Sequence, residues 1–332
     1  MTTAAHGGTR HGKTHRPLDR SARVFVAGGR GLVGSAVWRH LVREGFTDVV
    51  GPGSAHLDLR ERRAVFDWFA ATRPDVVVLA AARVGGIKAN ATRPAEFLSD
   101  NLRIQVNVLD AALEQGVERL LFLGSSCIYP KFADQPVREE ALLTGALEPT
   151  NDAYAIAKIA GITQVRAVRR QYGLPWICAM PTNLYGPGDN FHPEHSHVLP
   201  SLIRRFHEAR ETGARRVVNW GTGTPRREFL HVDDLARACL HLLEHYDEDG
   251  PVNVGTGTDI TVWEAAELVA EVVGYEGAIE WDTAQPDGTP RKLLDVSRLT
   301  ALGWVPRIGL REGLAETYAW YVAHLGSGVL RH

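Results

Sequence analysis

The chain has 332 residues, of which 44% are hydrophobic and 23% are charged. This composition supports a folded core and excludes a disordered, a collagen-like or a disulfide-stabilised chain. Its 37 basic and 39 acidic residues give a formal net charge of −2, which excludes a global positive field that would recruit nucleic acid or anionic membranes.

The N-terminal region and the cysteines bound the class of protein further. The first 20 residues are polar without an apolar segment, so we expect a disordered extension and no signal peptide. The longest apolar run, residues 76–82, is far shorter than the roughly 20 residues of a membrane-spanning helix. The three cysteines are too few and too scattered for a disulfide framework or a metal cage, which favours a reducing, cytoplasmic location.

Apolar strands alternate with helical patterns through the first half of the chain. We predict strands at 24–27, 48–50, 76–80, 120–124 and 176–180, with helices at 32–41, 61–72, 94–115 and 154–172. Continuous apolar strands separated by helices are typical of a parallel sheet covered on both faces. The prediction is therefore an α/β fold with a Rossmann-type, doubly wound parallel sheet.

The second half of the chain differs in composition and has fewer regular patterns. Residues 185–232 are dense in Gly, Pro, His and Arg, and regular patterns there are limited to a helix at 198–209 and a strand at 217–220. Further patterns predict helices at 233–244 and 262–273 and a strand at 252–254. We interpret residues 21–184, with returning segments near 228–256, as a cofactor-binding domain. A smaller, interleaved α/β substrate-binding domain would comprise 185–227 and 257–325.

A glycine-rich turn follows the first predicted strand. Gly28, Gly31 and Gly34 form a G-x-x-G-x-x-G pattern directly before an amphipathic helix. Such glycines permit a tight turn, close approach of backbone N–H groups to a pyrophosphate, and close packing of the helix on the sheet. Because of this location, we interpret the turn as a dinucleotide-binding site rather than a turn without a ligand.

The residues that would face the adenosine ribose favour NADP, bound as NADPH. NAD-binding proteins of this type carry an acid about 20 residues beyond the glycine turn, whereas an arginine accepts the 2′-phosphate of NADP. Here the second strand ends at residues 49–54, Val-Val-Gly-Pro-Gly-Ser, with no acid at its tip, and Arg30 lies inside the glycine turn. Asp58, slightly further along, is expected to meet the adenine.

A Tyr-x-x-x-Lys pair indicates carbonyl chemistry. Tyr154 and Lys158 share one helix face, so we expect the ammonium to lower the pKa of the phenol. Ser125 follows a buried predicted strand, at the sheet edge where α/β proteins bind ligands. The three residues together favour hydride transfer at a carbonyl. Tyr154 would donate the proton, Ser125 would orient the oxygen, and Lys158 would tune Tyr154 and hold the nicotinamide ribose.

These motifs resemble the extended short-chain dehydrogenase/reductase family and, within it, the GDP-4-keto-6-deoxy-D-mannose 3,5-epimerase-4-reductases. The resemblance spans residues 22–322, and its most specific segments are SSCIYP at 125–130 and NFHPEHSHVLP at 190–200. Other matching segments are AGGRGLVGSA at 27–36, EPTNDAYAIAKIAG at 148–161, WGTGTPRREFLHVDD at 220–234 and PDGTPRKLLDV at 286–296. The resemblance implies epimerisation of the substrate at C3 and C5, then NADPH-dependent reduction at C4 to GDP-L-fucose. It also implies a homodimer, for which helical residues 97–113 and 156–168 are candidates.

The resemblance implies roles for particular residues. Cys127 and His197 match the acid/base pair of epimerisation, and no metal is implied. The residues that match nucleotide-sugar contacts are Arg205, Trp220, Arg227, Asp287 and Lys292. The residues assigned to the cofactor are Gly28, Gly29, Arg30, Gly31, Leu32, Val33 and Gly34; Ser54, Ala55, His56, Leu57, Asp58 and Leu59; Leu123, Gly124, Ser125, Ser126 and Lys158; and Pro181, Thr182, Asn183, Leu184 and His197.

Other interpretations depend on a few positions. Related 4,6-dehydratases carry an Asp-Glu pair where this chain has Ser126-Cys127, and simple 4-epimerases generally lack the Cys127/His197 pair. A non-catalytic NADP-binding protein usually loses the Tyr or the Lys of the pair, and a 4-ketoreductase remains an alternative. Members of the family can have an arginine where this chain has Ser54, so the preference for NADP over NAD is expected to be weaker.

Some cysteines and histidines have ordinary interpretations. Free cysteines are usually small buried hydrophobic residues, and we expect this of Cys178 and Cys239. We expect His192 and His195 to be loop or solvent-facing residues.

Overall fold

A computed structural model describes residues 17–285, 287–327 and 330. Its strands are β1 (Arg23–Ala27), β2 (Asp48–Val50), β3 (Val76–Leu79), β4 (Arg119–Leu123), β5 (Ile177–Pro181), β6 (Asn183–Tyr185), β7 (Arg216–Trp220), β8 (Arg226–Arg227), β9 (Phe229–His231), β10 (Val252–Val254), β11 (Ile260–Thr261), β12 (Ala278–Asp282) and β13 (Arg291–Lys292).

The α-helices of the described residues connect and cover these strands. They are α1 (Leu32–Arg43), α2 (Arg62–Thr72), α3 (Ile87–Thr92), α4 (Pro94–Glu114), α5 (Asp152–Tyr172), α6 (Val198–Thr212), α7 (Val232–His245), α8 (Val262–Val273), α9 (Ser297–Ala301) and α10 (Leu310–Ala323). Short 3₁₀ turns occupy Ser126–Ile128 and Glu139–Ala141. No helix in the described ranges combines the length and the apolarity needed to cross a bilayer.

The main sheet has the order β2-β1-β3-β4-β5-β10, and each neighbouring pair is parallel. The chain passes from β1 to one side to form β2 and then to the other side to form β3. This reversal creates a switch point between β1 and β3, where open α/β sheets bind ligands at the carboxyl ends of their strands. The predicted doubly wound Rossmann-type fold is confirmed.

Alternating side chains explain why helices cover both faces of this sheet. Val24 and Val26 point into a core that contains residues of α1 and α7. Phe25 and Ala27 point into a second core that contains residues of α2, α4 and α5. Because successive side chains of a strand face opposite sides, an entirely apolar strand requires cover on both sides.

The regular elements predicted in the sequence are all present, with ends that agree closely. The largest difference is at α6, which continues to Thr212 instead of ending at residue 209. The pattern did not predict α3, α9 or α10, the five-residue strand β12, or the shorter strands β6, β8, β9, β11 and β13. Strands of two or three residues have no periodicity to recognise, because pairing with distant segments defines them.

The described part of the chain begins within the predicted N-terminal extension. Residues 1–16 lie outside the described residues, but the chain is ordered before Arg23. Leu18 packs against the core beneath α1 and α7, and Arg20 forms an ion pair of 2.5 Å with Glu244. These contacts tie Leu18 and Arg20 to α7, and the predicted extent of the extension, residues 1–20, stays a prediction.

A third apolar core lies beyond residue 184. It joins α6, α8 and α10 through side chains that include Phe206, Val269 and Leu314. Three small sheets accompany it, with the orders β11-β8-β13, β12-β7 and β6-β9. Contacts of Lys292 with Cys127 and of Glu228 with Asn183 bring β13 and β8 to the ends of β4 and β5. The proposed boundaries of two domains stay a prediction.

Candidate active site

The turn after β1 forms a cradle in which glycine is required. Gly28 has φ +84°, in the left-handed region that side chains disfavour. A Cβ at Gly34 would lie 2.1 Å from the carbonyl oxygen of Gly28, so α1 packs directly on the turn. Gly31 caps α1 without a side-chain hydrogen bond, which leaves the first backbone N–H groups of the helix directed at the turn. These features fit a dinucleotide pyrophosphate.

We expect Gly34→Ala to destabilise the protein by about 1–3 kcal/mol, because the added methyl overlaps the backbone of Gly28. Urea unfolding measures this change, and NADPH binding should weaken in parallel. Gly309→Ala is the matched control, since an added Cβ there meets nothing within 4 Å. Equal stability of the two variants would contradict the close packing of α1 on the turn.

Arg30 lies beside the loop that follows β2. A Cβ at Gly53 would be 2.8 Å from the Nε of Arg30, so the guanidinium rests against the backbone next to Ser54. Arg30 and Ser54 are both exposed at this edge of the cradle. Asp58 accepts a 2.7 Å hydrogen bond from Nη2 of Arg60, which lowers the pKa of the carboxyl. The predicted contact of Asp58 with adenine stays a prediction.

Ser125, Tyr154 and Lys158 meet at the carboxyl end of β4. The Ser125 hydroxyl lies close enough to Tyr154 to act on the pKa of its phenol. Nζ of Lys158 donates a 2.8 Å hydrogen bond to the carbonyl oxygen of Leu123 and lies 5.9 Å from the centre of the Tyr154 ring. The helical spacing of Tyr154 and Lys158 therefore places both on the face of α5 that packs against β4.

The protonation of this group differs from the sequence-based expectation. Burial lowers the pKa of Lys158 to about 8. Burial raises the pKa of Tyr154, the neighbouring Cys127 raises it further, and the hydrogen bond with Ser125 opposes both effects. The expected lowering of the phenol pKa by Lys158 is wrong for this arrangement, because the ammonium is directed at Leu123 and burial dominates. Tyr154 consequently keeps its proton at neutral pH.

Cys127 lies in the 3₁₀ turn immediately after Ser125. Its backbone N–H donates a 3.3 Å hydrogen bond to the hydroxyl of Ser125. Its Sγ is 3.3 Å from Nζ of Lys292 and 3.5 Å from Nδ2 of Asn151. Burial raises the pKa of the thiol, but Lys292 and Ser125 outweigh that effect and the net pKa is lowered. Cys127, Lys292 and Glu148 line one cleft, and the negative charge of Glu148 opposes the lowering.

His197 stands at the N-terminus of α6, facing Lys292. The residue is exposed, although enough protein atoms surround the imidazole to desolvate it. This partial desolvation lowers the pKa of the imidazole, and the positive charge of Lys292 lowers it further. Cys127 and His197 therefore share Lys292 as a charged neighbour.

The residues matched to the nucleotide sugar form two groups. Arg205 donates a 2.8 Å hydrogen bond to Asn219 on β7, and the neighbouring Trp220 is 67% exposed. Arg227 on β8 is paired in register with Lys292 on β13, and burial lowers the pKa of Arg227.

Asp287 has a structural use. It accepts hydrogen bonds of 2.7 and 2.9 Å from the backbone N–H and the hydroxyl of Thr222, and so fixes the turn after β7. Its carboxylate also lies within electrostatic range of Arg227. Asp287 therefore connects the turn beside Trp220 with the group around Arg227.

Two polar residues near the site had no recognisable signal in the sequence. Asn151 contacts Cys127, although no sequence motif assigned a role to it. Glu228 is fully buried and accepts from the backbone N–H groups of Thr256, Gly257 and Leu294 at 2.6, 2.8 and 3.0 Å. Residues 181–184 run from β5 into β6, and the side chain of Asn183 donates to the carbonyl oxygen of Glu228 at 2.8 Å. Such contacts depend on tertiary placement.

The remaining cysteines and histidines match their ordinary interpretations. Cys178 and Cys239 are buried, and burial raises the pKa of both thiols. His192 and His195 stack on each other with ring centres 4.4 Å apart. Within the described ranges, His, Cys, Asp and Glu side chains form no group that could hold a metal ion.

Comparison with known proteins gives the family. The model of the NAD dependent epimerase/dehydratase family matches residues 24–255, which include the glycine cradle and the Ser125, Tyr154 and Lys158 group. The chain belongs to this family. It shares with its relatives the extended short-chain dehydrogenase/reductase architecture described above.

Several similar relatives carry the name GDP-L-fucose synthase. Probable GDP-L-fucose synthase 1 of Oryza sativa subsp. japonica is 61% identical, covering 92% of this chain and 94% of the relative. GDP-L-fucose synthase of Escherichia coli (strain K12) is 54% identical, covering 90% and 96%. The crystal structure of a GDP-L-fucose synthetase from Naegleria fowleri bound to NADP superposes with a TM-score of 0.89 at 27% identity, covering 99% and 100%.

Proposed function

We propose that this protein is an NADPH-dependent epimerase-reductase that converts GDP-4-keto-6-deoxy-D-mannose to GDP-L-fucose. The observation that carries the proposal is the position of Cys127 beside Ser125 and Tyr154, where its thiol interacts electrostatically with both. A proton-transfer group thus lies where the ketone of a reducible substrate would be held. The names of relatives that are 61% and 54% identical support the same activity.

Epimerisation uses the acidity of protons next to the C4 ketone. Ser125 and Tyr154 hold the ketone oxygen and stabilise the enolate that forms when a proton leaves C3 or C5. Cys127, whose pKa is lowered, removes that proton as a thiolate. His197 returns a proton to the opposite face, and the lowered pKa of its imidazole makes the imidazolium a stronger acid.

Reduction follows at C4 in the same site. Bound NADPH supplies the hydride. Tyr154 holds its proton at neutral pH and donates it to the oxygen at C4, while Ser125 orients that oxygen. Lys158, fixed by Leu123, holds the nicotinamide ribose. The cradle of Gly28, with the other cofactor residues identified in the sequence, holds the dinucleotide.

Substrate and assembly complete the proposal. Arg205 and Arg227 bind the diphosphate of the GDP-sugar, because guanidinium groups match phosphate oxygens in geometry and charge. The exposed indole of Trp220 offers a flat apolar face to the nucleotide. The protein pairs as a homodimer through α4 and α5, which pack on each other and expose Val106 and Ile156.

The alternative is a related 4-epimerase, which would return its hydride and leave the amount of NADPH unchanged. The test is incubation with GDP-4-keto-6-deoxy-D-mannose and NADPH, followed by the absorbance of NADPH and the mass of the sugar product. Stoichiometric oxidation of NADPH with a gain of two hydrogens in the sugar supports reduction. Conversion of substrate without oxidation of NADPH would contradict it.

Arg30→Ala is expected to weaken NADPH binding by about 10- to 100-fold while NADH binding changes little, because a charged hydrogen bond to the 2′-phosphate is lost. Calorimetric titration with each cofactor measures both affinities. Arg39→Ala is the control, since Arg39 lies on α1 but pairs with Asp233 at 2.9 Å. Equal weakening for both cofactors would place Arg30 at the shared pyrophosphate instead.

A further inference from the structure

Lys292 makes its polar side-chain contact with a sulfur atom. It lies on β13, 165 residues from Cys127 in the chain, yet its Nζ is 3.3 Å from the Cys127 Sγ. The match to nucleotide-sugar residues in the sequence does not account for this contact.

Neighbouring cations of the cleft are paired with carboxylates. Arg291 pairs with Asp259 at 2.6 Å, and Lys131 pairs with Glu148 at 2.9 Å. Within the described ranges, no carboxylate lies within ion-pair distance of Lys292. The ammonium is therefore available to a negative charge on Cys127.

Lys292 is held in place by the buried Glu228. The carbonyl oxygen of Lys292 accepts from the backbone N–H of Glu228 at 3.3 Å, and the carboxylate of Glu228 accepts from the N–H of Leu294 at 3.0 Å. The parallel pairing of β13 with β8 fixes the same segment. A lysine on a fixed strand loses less freedom when it makes an ion pair than one on a mobile loop.

Asn151 completes the surroundings of the sulfur. Its Nδ2 is 3.5 Å from Sγ, and its Oδ1 is buried without a hydrogen-bond partner in the described structure. The amide nitrogen thus donates toward Cys127, while the carbonyl oxygen of the same amide is an acceptor without a donor. A hydroxyl group of a bound sugar is a donor that would satisfy it.

We propose that Lys292 is a positioning residue that keeps Cys127 as a thiolate before the substrate arrives, with Asn151 as a second donor to the sulfur. The inference deepens the proposed function, on which the role of Cys127 as a base rests. In the step it prepares, the thiolate takes a proton from C3 or C5 and the C–H electron pair moves into the enolate. Lys292 loses its anionic partner when the S–H bond forms.

The charges around Cys127 agree with this assignment. Lys292 favours the thiolate, whereas Glu148 opposes it and Tyr154 stays neutral. Lys131 offsets Glu148 through their ion pair. The lowered pKa of Cys127 is the expected result of an opposite charge in direct contact with the sulfur.

The test is the pH dependence of alkylation of Cys127 by iodoacetamide without any substrate. Cys178 and Cys239 are buried with raised thiol pKa values, and Cys127→Ser supplies the blank. We expect Lys292→Met to move the midpoint of the profile upward by about one pH unit or more, a tenfold loss of thiolate below the midpoint. Lys292→Arg should keep a midpoint near that of the wild type.

Arg291→Met is the matched control, because it removes the adjacent positive charge, which is paired with Asp259. An unchanged midpoint in Lys292→Met, or an equal rise in Arg291→Met, would overturn the assignment. A second measurement needs no lysine variant. The thiolate absorbance of the wild type and of Cys127→Ser is recorded as a function of pH, and the difference between the two curves gives the midpoint for Cys127. A midpoint clearly below the reference value of about 8.5 supports the ion pair, and one at or above it overturns it.

These readouts separate the inference from the proposed function. Alkylation and absorbance report the state of the thiol and need no turnover. If Lys292→Met moves the midpoint while Cys127→Ser still catalyses exchange at C3 and C5, the ion pair stands and the role of Cys127 in epimerisation fails. If Cys127→Ser abolishes exchange while Lys292→Met leaves the midpoint unchanged, the role of Cys127 stands and Lys292 acts on the substrate alone.

Discussion

Tyr154→Phe is expected to slow the reduction at C4 by about 10²–10⁴-fold, the usual contribution of a general acid. The phenol is the protonated group beside Ser125, and its raised pKa keeps the proton available across neutral pH. Single-turnover oxidation of NADPH in the presence of GDP-4-keto-6-deoxy-D-mannose measures the rate of this step. The binding of NADPH should change little, because the aromatic ring and Lys158 remain.

Tyr172→Phe is the matched control, since Tyr172 lies on the same helix but is 53% exposed at its end. It should reduce the ketone at the wild-type rate. A Tyr154→Phe variant that also reacts at nearly that rate would remove Tyr154 from the mechanism.

Cys127→Ser is expected to suppress epimerisation by about 10²-fold or more while hydride transfer remains possible. A hydroxyl barely ionises near neutral pH, whereas the thiol has a lowered pKa, and the replacement preserves size. In D₂O without NADPH, the wild type should incorporate deuterium at C3 and C5 of the substrate. The variant should do so far more slowly, and with NADPH it should release mainly a 6-deoxyhexose with unchanged C3 and C5.

His197→Asn gives a different expected pattern and serves as the comparison. Some exchange should survive where Cys127 still removes a proton, but net inversion should fall because protonation from the opposite face is lost. Deuterium incorporation at both carbons at the wild-type rate in Cys127→Ser would make Cys127 a packing residue and place the base elsewhere.

The fold was predictable from sequence where local pattern and tertiary structure agree. The apolar strand at Val24–Ala27, the glycines after it and the amphipathic helix beyond them each have a local signature. The Tyr154 and Lys158 spacing likewise determined which side chains share a helix face. Such signals are independent of the rest of the chain, so the elements predicted from them agree closely with those in the structure.

The environment of the site was less predictable, because it depends on distant segments. The pKa of Tyr154 is set by burial and by Cys127, and neither effect follows from the spacing of Tyr154 and Lys158. The contact of Lys292 with Cys127 joins residues on β13 and after β4, which only the pairing of β13 with β8 brings together. The two-residue strands that create this contact have no pattern of their own.

The central claim is that one site performs both epimerisation and reduction, and a single NMR measurement tests it. Wild-type protein is incubated in D₂O with GDP-4-keto-6-deoxy-D-mannose and unlabelled NADPH, and the sugar product is identified with its isotope content. The account predicts GDP-L-fucose that carries deuterium at C3 and C5 and protium at C4. A product with unchanged configuration and protium at C3 and C5, or a substrate left unreduced, would contradict it.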